Sequence, residues 1–263
     1  MVLLSKRLKT TMKIHLSPTS KFEEKEIREL IAGFHKSGEK VGKGDRNTIK
    51  NFPIGDQLAT VKAFKVPNLI NKVVYRFFRK SKAARSFDNA TYLLENNIGT
   101  PKPIAYLEEK KLLTFGKSYY ISDFIDADLT YRELIRQLDY PNRESIVRQF
   151  TRFTYDLHEK GILFKDHSPG NTLIVKRGEG YSFYLVDLNR MDFKPLSFEE
   201  RIINFTRLTS KEDMVAIMSD EYAKLTPWTY DDIYSLMWSR TQKFQKKFYR
   251  KKDIKDKYFF WRN

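Results

Sequence analysis

An aspartate and an asparagine five positions apart, followed by a second aspartate after a predicted hairpin, most constrain the fold of this chain. The first two are Asp166 and Asn171, and the third is Asp187. The β-prone runs 173–175 and 183–186 flank a turn-rich stretch, which predicts a hairpin. The hairpin would place Asn171 just before its first strand and Asp187 just after its second. We therefore expect both side chains to face one site.

A helix is predicted directly before this segment. Its apolar residues repeat at i, i+4, i+7 and i+11, which gives the helix one apolar face. These residues are Ile146, Phe150, Phe153 and Leu157. Pro141 precedes the pattern and Gly161 follows it, as helix start and stop signals do.

The order helix, polar loop, hairpin, aspartate is the catalytic layout of a protein-kinase-like fold. In that layout Asp166 orients or deprotonates the attacking hydroxyl, and Asn171 and Asp187 hold the magnesium ions that neutralise nucleotide phosphates. The alternative is an ordinary polar loop between a helix and a hairpin, because Asp, Asn, Gly and Pro are common turn formers. The whole ordered set favours the catalytic interpretation.

A second hairpin upstream carries a lysine at the position that kinase-like folds use for phosphate binding. Residues 47–52 and 58–64 are predicted strands, and Lys62 lies on the second. Lys65 is the competitor, although strand alternation points it to the other face. Gly42 and Gly44 lie one hairpin earlier, where backbone N–H groups of a turn could cover phosphates. An ordinary loop is the alternative for these glycines.

Two further parts of a nucleotide site have candidates. A helix predicted through residues 83–94 needs an acidic residue to pair with the strand lysine, and both Asp88 and Glu95 qualify. A predicted strand ends near Asp123, and the segment that continues to Ile125 is where a hinge between lobes would offer backbone groups to adenine.

The composition narrows the kinds of site and the cellular location that we expect. The chain has 263 residues, no cysteine and four histidines, which argues against disulfides and thiolate or zinc sites. No apolar run approaches a membrane-spanning length, and the N-terminus lacks a secretory pattern. We therefore expect a cytoplasmic protein.

The net charge of +16 points to anionic partners. Residues 240–263 carry ten Lys/Arg and two Asp, interleaved with aromatic residues, as in segments that lie at a lipid interface. The alternative is a solvated helix that packs an apolar stripe on the body. Residues 72–85 carry six bases and no acid, which indicates either a docking surface for an anionic substrate or membrane or a solvated face. Nucleic-acid binding is not excluded by composition, but nothing specific favours it.

Taken together, seven segments resemble the bacterial lipopolysaccharide core kinases, the Kdo and heptose kinases of the protein-kinase-like superfamily. The resemblance spans about residues 40–210. Its segments are Arg46–Lys50, Val61–Lys65, Ser86–Ala90, Gly99–Pro103, Leu157–Ile162, Asp166–Asn171 and Asp187–Arg190.

The resemblance implies an α+β, protein-kinase-like two-lobed fold, with a small antiparallel β-rich N-lobe and a mainly helical C-lobe. We expect an N-terminal extension with a helix at 1–33, the N-lobe at 34–125, and the C-lobe at 126–263, ending in the basic aromatic tail. The family cofactors are ATP and Mg²⁺, bound in the cleft.

The resemblance also implies roles for individual residues. Lys62 would hold the α- and β-phosphates and Asp88 would pair with it, although many relatives have Glu there. Asp166 would be the catalytic base, and Asn171 and Asp187 the metal ligands. Two positions depart from the pattern: Phe164 replaces the usual His before the base, and Asn189 replaces the Gly of the metal motif. Neither change removes a group needed for transfer. His158, at the helix end, is interpreted as structural.

The implied activity is transfer of the γ-phosphate of Mg-ATP to a sugar hydroxyl of the lipopolysaccharide inner core, Kdo or heptose. The partners are then a nucleotide and an anionic glycolipid, at the cytoplasmic face of the inner membrane, with a possible peripheral membrane contact. One alternative is a kinase-like enzyme that acts on protein or on a soluble small molecule. Another is a catalytically degenerate kinase fold that serves as a basic binding module.

Overall fold

The computed structural model describes residues 12–42, 47–110 and 114–258. The chain divides into two compact units, Met1–Ile125 and Asp126–Asn263. Each unit has its own sheet structure and its own apolar core.

The first unit is built on one antiparallel sheet of six strands in the order β1-β5-β6-β4-β3-β2. Its elements are β1 Met12–Leu16, α1 Glu24–Gly33, β2 Glu39–Lys40, β3 Asn47–Ile54, β4 Gln57–Phe64, α2 Leu69–Phe77, α3 Lys82–Glu95, β5 Pro103–Lys110 and β6 Phe115–Asp123. The strand β1 lies in the stretch predicted as an N-terminal extension and pairs with β5, ninety residues away in the chain. The sequence analysis did not predict this strand, although Met12, Ile14 and Leu16 alternate with polar residues and are less exposed than they are.

The core of the first unit forms where one face of the sheet meets α1. Ala59 and Val61 of β4 and Ile121 of β6 are fully buried there with Ile27 and Phe34. The helix α3 is capped by Ser81, the residue before it, whose side chain accepts a hydrogen bond from the Ala84 N–H at 3.0 Å. This N-cap satisfies an N–H group that the first turn of the helix leaves without a partner.

The second unit is mainly helical. Its elements are β7 Leu129–Thr130, α4 Tyr131–Arg136, α5 Arg143–Glu159, β8 Ile162–Phe164, a single 3₁₀ turn Pro169–Asn171, β9 Thr172–Arg177, β10 Gly180–Leu185, β11 Met191–Phe193, α6 Phe198–Phe205, α7 Glu212–Ala223 and α8 Tyr230–Tyr258. The predicted hairpin is present as β9 and β10, in antiparallel register from Thr172↔Leu185 to Arg177↔Gly180.

The helix α5 runs through the core of the second unit. Ile146, Phe150 and Leu157 are fully buried and Phe153 is partly buried, so the predicted apolar face is the one that packs. The helix ends before Gly161, which has a φ of +67° and lies so close to the Lys194 carbonyl oxygen that a Cβ would meet it at 2.8 Å. Only glycine fits both conditions.

The C-terminal helix α8 is buried only in its first half. Thr241 is buried and Phe244 lies under the guanidinium of Arg207. Within the described part of the tail, residues 246–254 are all exposed. No helix among residues 12–42, 47–110 and 114–258 is long and apolar enough to cross a membrane.

Candidate functional site

The loop between β8 and β9 carries the proposed catalytic aspartate. Antiparallel pairing of β8 with β11 anchors this loop, and the Lys165 N–H extends the pairing by donating to the Arg190 carbonyl at 3.1 Å. The side-chain amide of Asn171 donates to the backbone carbonyl of Asp166 at 2.8 Å. This bond closes the five-residue loop, so that the spacing seen in the sequence becomes a contact in space.

The second aspartate is brought to the same loop by the hairpin. The Val186 N–H donates to the Asn171 carbonyl at 3.0 Å, which places Asp187 one residue beyond a direct backbone contact with Asn171. Asp187 has a left-handed backbone, with a φ of +63°. Residues other than Gly adopt left-handed backbone angles at a cost in free energy, and such strain is concentrated at functional sites. The Asn189 amide donates to Asp187 Oδ1 at 2.7 Å and orients the carboxylate.

Two arginines converge on the Asp166 carboxylate. Arg190 Nη1 lies 3.0 Å from Asp166 Oδ1, and Arg207 Nη1 lies 3.4 Å from the same oxygen. Arg207 also donates to the Lys165 carbonyl at 3.0 Å. Arg190 belongs to the sequence motif that begins at Asp187, but the sequence analysis assigned it no role. Arg207 follows α6, and no local pattern connects it to the loop.

A buried hydrogen-bond chain supports the loop from beneath. Asn204 donates to the Phe164 carbonyl at 2.9 Å, and its Oδ1 lies 3.2 Å from His158 Nε2. Because Asn204 Oδ1 is an acceptor, His158 donates from Nε2 and accepts from the Tyr222 hydroxyl at Nδ1, 2.9 Å away. Phe164 is thus held both by this hydrogen bond to its backbone carbonyl and by its fully buried ring.

Both histidines near the loop are buried and uncharged at neutral pH. Burial lowers the pKa of His158 to about 3 and that of His167 to about 4. His167 is packed against the rings of Phe150 and Phe164. These surroundings fit a structural role for both side chains.

In the first unit, Lys62 is a buried charged side chain on a central strand. Its residue is 9% exposed, and its Nζ lies 5.4 Å from the centre of the Phe64 ring. Lys62 is paired with Tyr120 of β6, which is paired with Tyr106 of β5, so these three side chains share one face of the sheet. Lys65, the competitor, lies just after β4 and is exposed.

Both acidic candidates for pairing with Lys62 lie on α3. The Asp88 carboxylate forms an ion pair with Lys80 at 2.7 Å, and its side chain is 40% exposed. Asp88 lies near Tyr106, two strands from Lys62 on the sheet. Glu95, at the C-terminal end of α3, is exposed. In this structure the contact of the Asp88 carboxylate is thus with Lys80, through Oδ2.

The proposed phosphate-covering turn connects β2 and β3, the hairpin that directly precedes β4. Gly42 has a φ of +70° and open space around the position of a Cβ. Gly44 lies outside the described residues. At the proposed hinge, Asp123 ends β6, and burial raises the pKa of its carboxyl group. Ile125, two residues on, is the last residue of the first unit.

The loop offers oxygen atoms suited to a magnesium ion. The Asn171 NH₂ group is used on the Asp166 carbonyl, which leaves its Oδ1 for a cation, and Asp187 adds a carboxylate. Among the residues that the structure describes, no group of three or more His, Cys, Asp or Glu could form a metal cage. Mg²⁺ is usually bound through one or two carboxylates together with substrate phosphates and water, so the residues present fit this ion.

Comparison with known proteins identifies a structural relative. No family model matches the chain, and no curated protein matches it in sequence. A solved structure of WaaP in complex with acyl carrier protein is similar, with a TM-score of 0.61, 13% sequence identity, and coverage of 89% of this chain and 98% of that one. The predicted α+β, protein-kinase-like two-lobed fold is confirmed.

Proposed function

We propose that this protein is an ATP-dependent kinase that transfers the γ-phosphate to a sugar hydroxyl of the lipopolysaccharide inner core. The observation that carries the proposal is the hydrogen-bonded connection of Asp166, Asn171 and Asp187 through the Asn171 side chain and the Val186 N–H. The likeness in fold to WaaP supports the proposal.

In the proposed reaction, Asp166 accepts the proton of the acceptor hydroxyl. The acceptor oxygen forms a new bond to the γ-phosphorus while the bond from phosphorus to the β-γ bridging oxygen breaks, and ADP leaves. Lys62 holds the α- and β-phosphates, and Asp88 is its proposed acidic partner. Positioning and charge compensation, rather than covalent chemistry by the protein, lower the barrier in such transfers.

Asn171 and Asp187 are the proposed magnesium ligands. When bound, the ion supplies positive charge that balances the phosphate oxygens. The hydrogen bond from the Asn171 amide to the Asp166 carbonyl holds Asn171, and the hydrogen bond from the Asn189 amide holds Asp187. Gly42 and Gly44 are the proposed phosphate-covering glycines, and the backbone from Asp123 to Ile125 is the proposed adenine contact.

The arginines beside Asp166 favour an anionic acceptor. Arg190 and Arg207 bring two positive charges to the carboxylate that must meet the acceptor hydroxyl. An inner-core sugar that carries a carboxylate or phosphate would be drawn to this point. We therefore propose an acidic glycolipid acceptor at the cytoplasmic face of the inner membrane. WaaP was solved in complex with acyl carrier protein, and that complex is the basis for considering a protein partner of this class.

The test is transfer of labelled γ-phosphate from Mg-ATP to purified lipopolysaccharide inner-core acceptors, with wild type and Asp166→Asn in parallel. Asp192→Asn is the matched control, because Asp192 is a nearby acid that pairs with Lys165 at 2.6 Å and has no proposed catalytic role. We expect label in the glycolipid with wild type and the control, and a loss of about a hundredfold or more with Asp166→Asn, which should still bind ATP.

Other results assign the protein to the alternatives. Label on protein or on a soluble small molecule, and none on glycolipid, would keep the kinase and discard the acceptor. Failure of the folded wild type to bind Mg-ATP would indicate a degenerate binding module. Equal transfer by wild type and Asp166→Asn would refute the assignment of the base.

A further inference from the structure

The helix α2 presents an apolar face to solvent. Ile70 is 78% exposed, Val73 43% and Phe77 53%, and Phe78, which follows the helix, is 82% exposed. The first three lie at i, i+3 and i+7, so they share one side of the helix. Large apolar side chains exposed together in this way indicate an interaction surface.

The other side of α2 attaches the helix to its unit. The ring of Tyr75 lies 6.0 Å from that of Phe115 on β6. Asn68 caps the helix by accepting from the Asn71 N–H at 3.0 Å. The helix is therefore capped, and packed on β6, through residues other than the four exposed apolar ones.

Basic residues surround this face. The sequence from Gln57 to Phe87 contains no acidic residue, and Lys72, Arg76 and Arg79 follow or interrupt the apolar positions of α2. The Arg76 guanidinium lies 5.1 Å from the centre of the Phe77 ring, at the border between the two surfaces. Exposed aromatic and aliphatic side chains beside cations are typical of helices that lie in a lipid interface, with the apolar face among acyl chains and the cations at anionic headgroups.

We propose that α2 and Phe78 form a membrane-binding element that inserts into the surface of a bilayer containing anionic lipid. The inference rests on the proposed function in one respect: an enzyme with a glycolipid acceptor would work at a bilayer, so a bilayer is the partner chosen for this face. The positive charge around the apolar face of α2 would repel a basic partner. An anion alone would not cover the exposed aromatic rings, whereas the apolar interior of a bilayer would.

The C-terminal tail is a weaker candidate for insertion. Phe248 and Tyr249 are exposed, but Lys251 and Lys252 lie three and four residues after Phe248 and so share its side of α8. The described part of the tail therefore has no comparable apolar face. It contributes attraction to anionic headgroups without insertion, which makes it a matched control.

The test is flotation of the full chain with phosphatidylcholine vesicles that contain roughly 30% phosphatidylglycerol, a composition that gives an anionic surface. We expect Ile70→Ser/Phe78→Ser to weaken partitioning at least about tenfold, and Phe248→Ser/Tyr249→Ser less than about threefold. We expect Arg76→Gln/Arg79→Gln to weaken binding on anionic vesicles and to have little effect on neutral ones. All of these side chains are exposed or half-buried, and unchanged melting temperatures would show that the variants fold.

Equal vesicle binding by wild type and Ile70→Ser/Phe78→Ser, or dependence on the tail pair instead, would overturn the proposal. The proposal would also be overturned if the wild type did not bind vesicles but formed a dimer that the α2 substitutions dissociate. It would be overturned as well if the α2 face bound only a soluble acidic protein. The readout needs no phosphate transfer. A chain that binds vesicles through α2 but transfers no phosphate would refute the proposed function and leave this inference intact.

Discussion

The side-chain amide of Asn171 donates a hydrogen bond to the backbone carbonyl of Asp166, 2.8 Å away. This one contact closes the loop that carries the proposed base and uses the Asn171 NH₂ group, so that the amide oxygen is not needed for it. The position of the proposed base therefore depends on the side chain of the proposed metal ligand.

Replacement of Asn171 by Ala should lower turnover far more than stability. Loss of one neutral hydrogen bond costs about 0.5–1.5 kcal/mol of unfolding free energy, whereas loss of a proposed metal ligand should reduce kcat by about a hundredfold or more. Phosphate transfer and denaturant unfolding measured on the same sample separate the two effects. A variant that unfolds at neutral pH, or that retains full turnover, would contradict the assignment.

Replacement of Arg190 or Arg207 by Gln should raise the KM for the anionic acceptor by about tenfold while the KM for ATP changes less than about twofold. The reason is that both guanidinium groups contact the carboxylate of Asp166, the proposed base, which the acceptor hydroxyl would approach. Steady-state kinetics with each substrate varied is the measurement. The matched control is Arg152→Gln, because Arg152 pairs with Glu221 instead. A rise confined to the KM for ATP would show that the arginines serve the nucleotide.

Replacement of Asp88 by Asn should lower kcat by about tenfold if Asp88 leaves Lys80 to support Lys62 in the active enzyme. Lys80→Met is the control, because it breaks the observed 2.7 Å ion pair without removing the carboxylate. We expect this control to retain activity. If both variants retain full turnover, the Asp88–Lys80 pair is only a surface contact, and surface pairs contribute little. Single-turnover transfer assays would compare the two variants with Lys62→Met.

Acid should destabilise the second unit through His158. The pKa of His158 is about 3 in the folded state and about 6.5 in the unfolded state. Between these values only the unfolded state takes up the proton, so the contribution of His158 to stability is complete above about pH 6.5 and is lost as the pH falls toward 3. In this window the unfolding free energy of wild type should fall by about 1.4 kcal/mol per pH unit more than that of His158→Gln. Urea unfolding between pH 6.5 and 4 measures both slopes.

The control for this prediction is His35→Gln, since His35 is an exposed residue of the first unit. It should follow the wild-type slope. If His158→Gln also follows the wild-type slope, His158 is charged in the folded state, and the hydrogen-bond chain from Tyr222 through Asn204 to the Phe164 carbonyl is assigned wrongly.

Local signals in the sequence determined the elements around the site. The 3.6-residue apolar period of α5, the turn-rich stretch between β9 and β10, and the spacing of Asp166 and Asn171 each involve neighbours along the chain, so propensity and pattern decide them. The position of Lys62 on β4 followed from the same kind of signal. These features were enough to predict the protein-kinase-like fold.

Only the tertiary structure decided the contacts made across long stretches of chain. β1 is five residues long and gains its place by pairing with β5, and β8 and β11 are three residues each. β1 alternates apolar and polar residues, but over five residues this pattern is a weak signal, and β8 and β11 are too short to show one. Pairing with a distant partner is what stabilises such short strands. The same holds for side chains: Arg207 reaches Asp166, and Asn204 reaches the Phe164 carbonyl. The sequence by itself determined which chemical groups are present; packing decided which of them meet.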